Sequence, residues 1–98
     1  MPKLRFEWDP KKSASNKRKH GVSFEEASTV FSDDNALLLS DPGHSAAEDR
    51  FVLLGLSASL RTLVVCHCYR EGEKVIRMIS ARKATRTERT QYVQRYRG

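Results

Sequence analysis

His20, His44 and His67 are the only side chains of this sequence whose ordinary pKa lies near neutrality, which makes each a candidate general acid or base. Arg77 and Arg82 are the candidate anion binders. Both interrupt a segment that otherwise reads as a buried strand, and a guanidinium there needs a carboxylate, the sheet edge or a ligand phosphate. Together such groups suffice for one kind of chemistry without a metal: a ribose 2′-hydroxyl is deprotonated, cations steady the in-line phosphate, and the leaving oxygen is protonated. DNA lacks the attacking hydroxyl, so a basic, metal-free site of this type acts on RNA.

Each candidate also has a plain structural use. His20 stands where a basic helix ends at Gly21, in reach of a bound polyanion but equally placed to cap the helix C-terminus. His67 lies mid-strand in an apolar run, where a satisfied core histidine is the commoner outcome, and His44, in an exposed loop, is least informative. For Arg77 and Arg82 the plain alternative is a salt bridge to Glu48 or Asp49. Cys66-His67-Cys68 looks like a set of metal ligands, but strand alternation sends the cysteines to one face and the histidine to the other. No phosphate-cradling glycine loop occurs, and the acids form no tight cluster for metal ions. The prediction is a site with no metal and no cofactor, and two reduced, structural cysteines.

These residues must be positioned by a short series of elements. Asp9-Pro10 starts a helix that Gly21 stops, with Asp9 as cap and Pro10 in the first position. Only Ala14 is apolar inside it, so it is expected to dock through Ala14 and the stems of its lysines and arginines as an exposed basic helix. Ser23-Phe24-Glu25-Glu26 is a capping box that opens a second helix, with Val22 stapled to Ala27, and the short joint predicts a helical hairpin. Four strand-like segments follow, 36–40, 51–57, 62–69 and 74–81, then a second capping box, Thr85 to Glu88, opens an amphipathic helix through Arg89, Tyr92, Val93 and Tyr96. The expected fold is α+β in the order β-α-α-β-β-β-β-α, with the hairpin and the C-terminal helix packed on a mainly antiparallel sheet. An even loop around Glu71-Gly72 opposes Tyr69 to Lys74 and puts Arg82 on the His67 and Tyr69 face. An odd loop puts Arg77 there instead.

Ninety-eight residues suit one domain spanning 1–98, and Leu, Ile, Val and Phe number 22, enough for a small core. Stability is expected to lean on a partner or a second copy. The net charge of +6 points to a polyanionic partner. Five basic residues fall between Lys11 and Lys19 and six between Arg82 and Arg97, whereas residues 21–49 hold seven acids and no Lys or Arg. With no apolar run long enough for a membrane span and no cleavable leader, the prediction is a cytoplasmic chain without membrane contact.

The segments Phe6-Glu7-Trp8-Asp9-Pro10-Lys11-Lys12, Asn16 with Lys19-His20-Gly21-Val22-Ser23-Phe24-Glu25-Glu26-Ala27, and Arg77-Met78-Ile79-Ser80-Ala81-Arg82-Lys83-Ala84 together resemble the BrnT family of toxins. Asp41-Pro42-Gly43-His44-Ser45, Glu48, Arg50 and Gly55 extend the likeness over nearly the whole chain. The resemblance implies a RelE-like fold and a ribonuclease toxin of a type II toxin–antitoxin pair, neutralised by a BrnA-like antitoxin with which it represses its own promoter. His20, Arg50, Arg77, Arg82 and Lys83 match the family pattern. On this basis Arg77 and Arg82 are assigned to phosphate and transition-state charge, Lys19, Arg50 and Lys83 to RNA contact, and His20 or His67 to proton transfer. Tyr69 either stacks a base or packs in the sheet.

The leading expectation is thus a metal-independent endoribonuclease. The alternatives are a noncatalytic nucleic-acid-binding module with the same basic segments and an interaction subunit acting only within a repressor complex. The expected partners are RNA, an antitoxin covering the C-terminal helix and the acidic stretch from Glu25 to Asp49, operator DNA through the complex, and a second copy within a hetero-oligomer.

Overall fold

Asp9 caps the first helix as its composition requires, its carboxylate accepting the Lys11 N–H at 2.9 Å, and Gly21 ends it with φ +73°. The computed structural model describes residues 4–40, 50–72 and 74–97. Within them lie β1 (Arg5–Glu7), α1 (Pro10–His20), α2 (Phe24–Thr29), a 3-10 turn (Val30–Ser32), β2 (Leu37–Ser40), β3 (Phe51–Leu56), β4 (Thr62–Arg70), β5 (Val75–Lys83) and α3 (Arg86–Arg97). This is the expected element order. The five strands form one mixed sheet in the order β1-β5-β4-β3-β2, antiparallel except that β1 runs parallel to β5. His44, Glu48, Asp49 and the rest of 41–49 lie outside the described residues.

The hairpin α1–α2 covers one face of the sheet. Val22, Phe24, Ala27 and Val30 bury against Leu53, Leu63, Val65, Ile76, Met78 and Ala81. The opposite face has a smaller core, where Tyr92 of α3 meets Leu54, Val64 and Ala84. At Gly55 the hairpin face closes so tightly that an added Cβ would lie 2.8 Å from Val30 Cγ1 and 2.9 Å from Ala36 Cβ.

Two expectations about these helices are corrected. Ala14 is exposed, and α1 docks instead through Ser13 and Asn16, both buried. Asn16 Nδ2 donates to the carbonyls of Val22 (2.7 Å) and Ala81 (2.8 Å), and Asn16 Oδ1 accepts from Ala81 N–H (3.1 Å). A carboxamide here reads the edge of β5 as a neighbouring strand would, which is why a helix with almost no apolar stripe can dock. The first capping box is only half formed. Ser23 accepts the Glu26 N–H, but the Glu26 carboxylate is drawn away to Arg61 and Ser57. The second box is reciprocal, Thr85 and Glu88 each holding the other's N–H. Among the described residues Arg77 and Arg82 bond the carboxylates of Glu7 and Glu88, while the expected partners Glu48 and Asp49 lie outside the described residues.

The register holds the main surprise. Tyr69 opposes Ile76, not Lys74, and Cys68 opposes Arg77, so up to Met78 Arg77 faces away from His67. Between Met78 and Ser80 the β4–β5 register shifts by one, leaving Ile79 without a partner in the ladder, and Arg82 then opposes Val64. Val64, Cys66 and Cys68 share one face of β4, so the bulge turns both arginines onto the α3 face, opposite His67. Neither parity considered from the sequence gives this arrangement, because each assumes an unbroken ladder.

Candidate functional site

Strand β1 pairs only with Val75–Arg77, so beyond Met78 the outer edge of β5 is met by α1. There the last residue of α1, His20, reaches the α3 face of the sheet. A cavity of about 360 Å³ is lined by His20, by Arg50 and Val52 at the start of β3, by Val64 and Cys66 of β4, and by Ile79, Ser80, Ala81 and Arg82 of β5. The structure thus brings together three predicted site residues, His20, Arg50 and Arg82, from three separate chain segments. A second cavity, about 230 Å³, adjoins it along α1 and is lined by Lys12, Ser15, Asn16, Lys19, His20, Ile79 and Ser80. Among the described residues no Asp or Glu lines either cavity.

The joint that carries His20 is held firmly. Arg61 Nη2 donates to the Gly21 carbonyl at 2.9 Å while its guanidinium grips Glu26, whose second oxygen also takes the Ser57 hydroxyl at 2.8 Å. The Arg61 guanidinium, against opposing burial, holds the Glu26 carboxyl below the usual carboxylate range. Arg82 is held by a two-point fork to Glu88, 2.8 and 2.9 Å, which pulls that carboxyl down to about 2. Its side chain remains 43% exposed.

Other predicted residues lie apart. Arg77 is on the same sheet face as Arg82 but bonds Glu7 at 2.6 Å, a carboxylate shared with Arg70. Its register partner on β4 is four residues from that of Arg82, roughly 13 Å along the strand. Lys83 is exposed beside the joint, its Cε near Gly21. His67 is fully buried on the hairpin face, its ring edge-on to Phe31 (4.8 Å) and Tyr69 (5.2 Å), with Nδ1 3.2 Å from the Val65 carbonyl. Burial pulls its pKa below the ordinary imidazole value. Tyr69 packs beside it against Phe51.

Sequence reasoning missed the apolar floor (Val52, Val64, Cys66, Ile79) and the role of Asn16, which pins the segments bearing His20 and Arg82 to each other. It also passed over Lys12, although its spacing of seven from Lys19 was a usable signal for one helix face. Among the described residues no three His, Cys, Asp or Glu side chains converge on a metal position, and no helix is long and apolar enough to cross a membrane.

Comparison with known proteins gives a family and a fold. The profile of the family described as ribonuclease toxin, BrnT, of type II toxin–antitoxin systems matches residues 8–88. The crystal structure of the Brucella abortus ribonuclease toxin, BrnT, is similar with a TM-score of 0.63, covering 86% of this chain and 100% of that one at 22% identity, a likeness of fold. No curated protein matches the chain in sequence.

Proposed function

The chain belongs to the BrnT family of type II ribonuclease toxins, and from that premise we propose that it is a metal-independent endoribonuclease that cuts RNA at the cleft around His20, Arg50 and Arg82. One observation carries this reading: a histidine and two arginines, brought from the end of α1, the start of β3 and the end of β5, line one cavity to which no carboxylate among the described residues contributes a wall. In the proposed reaction the ribose 2′-oxygen attacks phosphorus and the bond to the 5′-oxygen breaks, leaving a 2′,3′-cyclic phosphate and a 5′-hydroxyl. Arg82 and Arg50 neutralise the phosphate oxygens as charge builds on them. His20 moves the proton, since it reaches the cleft while His67 is sealed on the other face. Lys19 and Lys83 contact the RNA backbone, Arg77 meets it farther along the sheet, and Tyr69 is given to packing.

Membership of a type II family implies an antitoxin partner and RNA as substrate. The antitoxin is proposed to be BrnA-like and to cover α3 and the acidic segment after Ser23, with operator DNA bound by a complex that contains two copies of this chain. The noncatalytic reading keeps one observation in its favour, that Arg77 and Arg82 each already hold a carboxylate. Incubation with total RNA in excess EDTA, beside an Arg50→Ala/Arg82→Ala variant folded by circular dichroism, separates them. Cleavage by the parent alone, with cyclic phosphate ends, is expected. Undiminished binding with no cleavage by either protein would favour the noncatalytic module.

A further inference from the structure

The two adjoining cavities differ in chemistry. The one holding Arg50 and Arg82 has an apolar floor, whereas the one along α1 presents Lys12, Ser15 and Lys19. His20, Ile79 and Ser80 form the wall common to both, so the proposed proton carrier stands at their junction. We propose that the α1 cavity is a second phosphate subsite, which holds the RNA backbone next to the scissile phosphate through Lys12 and Lys19.

Three features support an RNA strand there. First, Lys12, Ser15 and Lys19 recur at helical spacing, so they form one stripe, while Lys11 and Arg18 point to a different side of α1. Cations in a stripe along a groove track a backbone, whereas scattered ones only solubilise a helix. Second, the stripe has a fixed distance from the cleft. Asn16, on the same stretch of α1, is hydrogen-bonded to the backbone of Ala81, the residue before Arg82. Phosphates held at Lys12 and Lys19 are therefore in register with the one held at Arg82. Third, His20, Ile79 and Ser80 line both cavities, so the groove along α1 runs on into the cleft that holds Arg82 without an intervening element.

The inference rests on the proposed cleavage site for its direction, but its test does not need cleavage. RNA methylated at every 2′-oxygen cannot react, so its binding is read without cleavage, and the variants below isolate the subsite's share. Affinity is measured by fluorescence anisotropy across a salt series for an oligomer of about a dozen nucleotides and for a dinucleotide. Each single-strand phosphate contact contributes ~0.7 to the slope of log affinity against log salt. For the oligomer, Lys12→Ala/Lys19→Ala is expected to lower the slope by about 1.4, with little change for the dinucleotide. Lys11→Ala/Arg18→Ala removes the same charge from the same helix and is expected to lower it far less. Equal losses in the two double variants would overturn the subsite and leave only a diffuse basic field. An oligomer slope no steeper than the dinucleotide's would overturn it too. If the slope falls as expected while unmodified RNA is never cut by the parent, the subsite stands and the ribonuclease reading falls.

Discussion

The two faces of the sheet put the same residue types to opposite uses. On the hairpin face the core closes over His67, which is fully buried among Phe31, Phe51 and Tyr69. On the α3 face, among the described residues, Tyr92 covers a patch around Leu54, Val64 and Ala84, and the same face carries Arg77, Arg82 and the cleft reached by His20. The closed face provides the stability, and the other face carries the cleft proposed for RNA. The histidine in the apolar strand is the satisfied core residue that its surroundings in the sequence suggested, fully buried among the rings. The histidine at the helical joint is exposed and lines the cleft with Arg50 and Arg82.

The contrast breaks first at His67. Replacing it with alanine empties a site walled by three rings and is expected to cost about 3 kcal/mol in urea unfolding, a large share of a small domain's stability. A cost under about 1 kcal/mol would mean that the hairpin face is not closed as described.

Asn16→Ala comes next. It leaves the Val22 carbonyl and both backbone groups of Ala81 without their partner, which should cost about 2 kcal/mol in the same assay. Because Asn16 sets His20 against Arg82, RNA cleavage under conditions where the variant stays folded should fall as well. Asn16→Asp should not restore it, since a carboxylate can accept from Ala81 N–H but cannot donate to the two carbonyls.

The pH dependence sharpens the comparison further. Burial holds the His67 pKa below its unfolded value of about 6.5, so both states are neutral above that pH and stability is complete there. As the pH falls through about 6.5 the unfolded chain takes up a proton that the folded chain refuses. Stability is lost at up to ~1.4 kcal/mol per pH unit until the lowered folded value is reached. Urea midpoints across this range should show that loss in the parent and a flatter profile in His67→Phe. Glu88, held down at about 2, belongs to a separate and more acidic window, with its stability present above its ordinary value and lost as pH falls toward 2.

The smallest effect is expected on the α3 face. The Tyr92 hydroxyl donates to Asp33 Oδ2 at 2.7 Å, tying α3 to the turn before β2, and Tyr92→Phe should cost about 1 kcal/mol. A much larger loss would show α3 to be as deeply integrated as the hairpin.

Local chemistry made much of this legible in the sequence. Asp9-Pro10, Gly21, Ser23 and Thr85 set helix ends by interactions within a few residues, and the strand segments were found nearly to their ends. The parallel pairing of β1 with β5 and the Glu7–Arg77 bond span some seventy positions, and no local pattern encodes them. Nor did the bulge announce itself. Ile79 continues an apolar strand without a glycine or proline to mark the break, and that one residue decides which face Arg82 joins. Of the candidate site, the residue types were legible and their assembly was not. The docking of α1 through Asn16 reversed the usual rule that an apolar stripe seats a helix.

The central claim, that chemistry belongs to the α3 face and His20, is tested most directly by RNA cleavage in EDTA with His20→Ala and His67→Phe, both verified as folded. The account predicts a fall of ~10²–10⁴-fold for His20→Ala and near-parental cleavage for His67→Phe. Cleavage that survives loss of His20 and disappears with His67→Phe would contradict it.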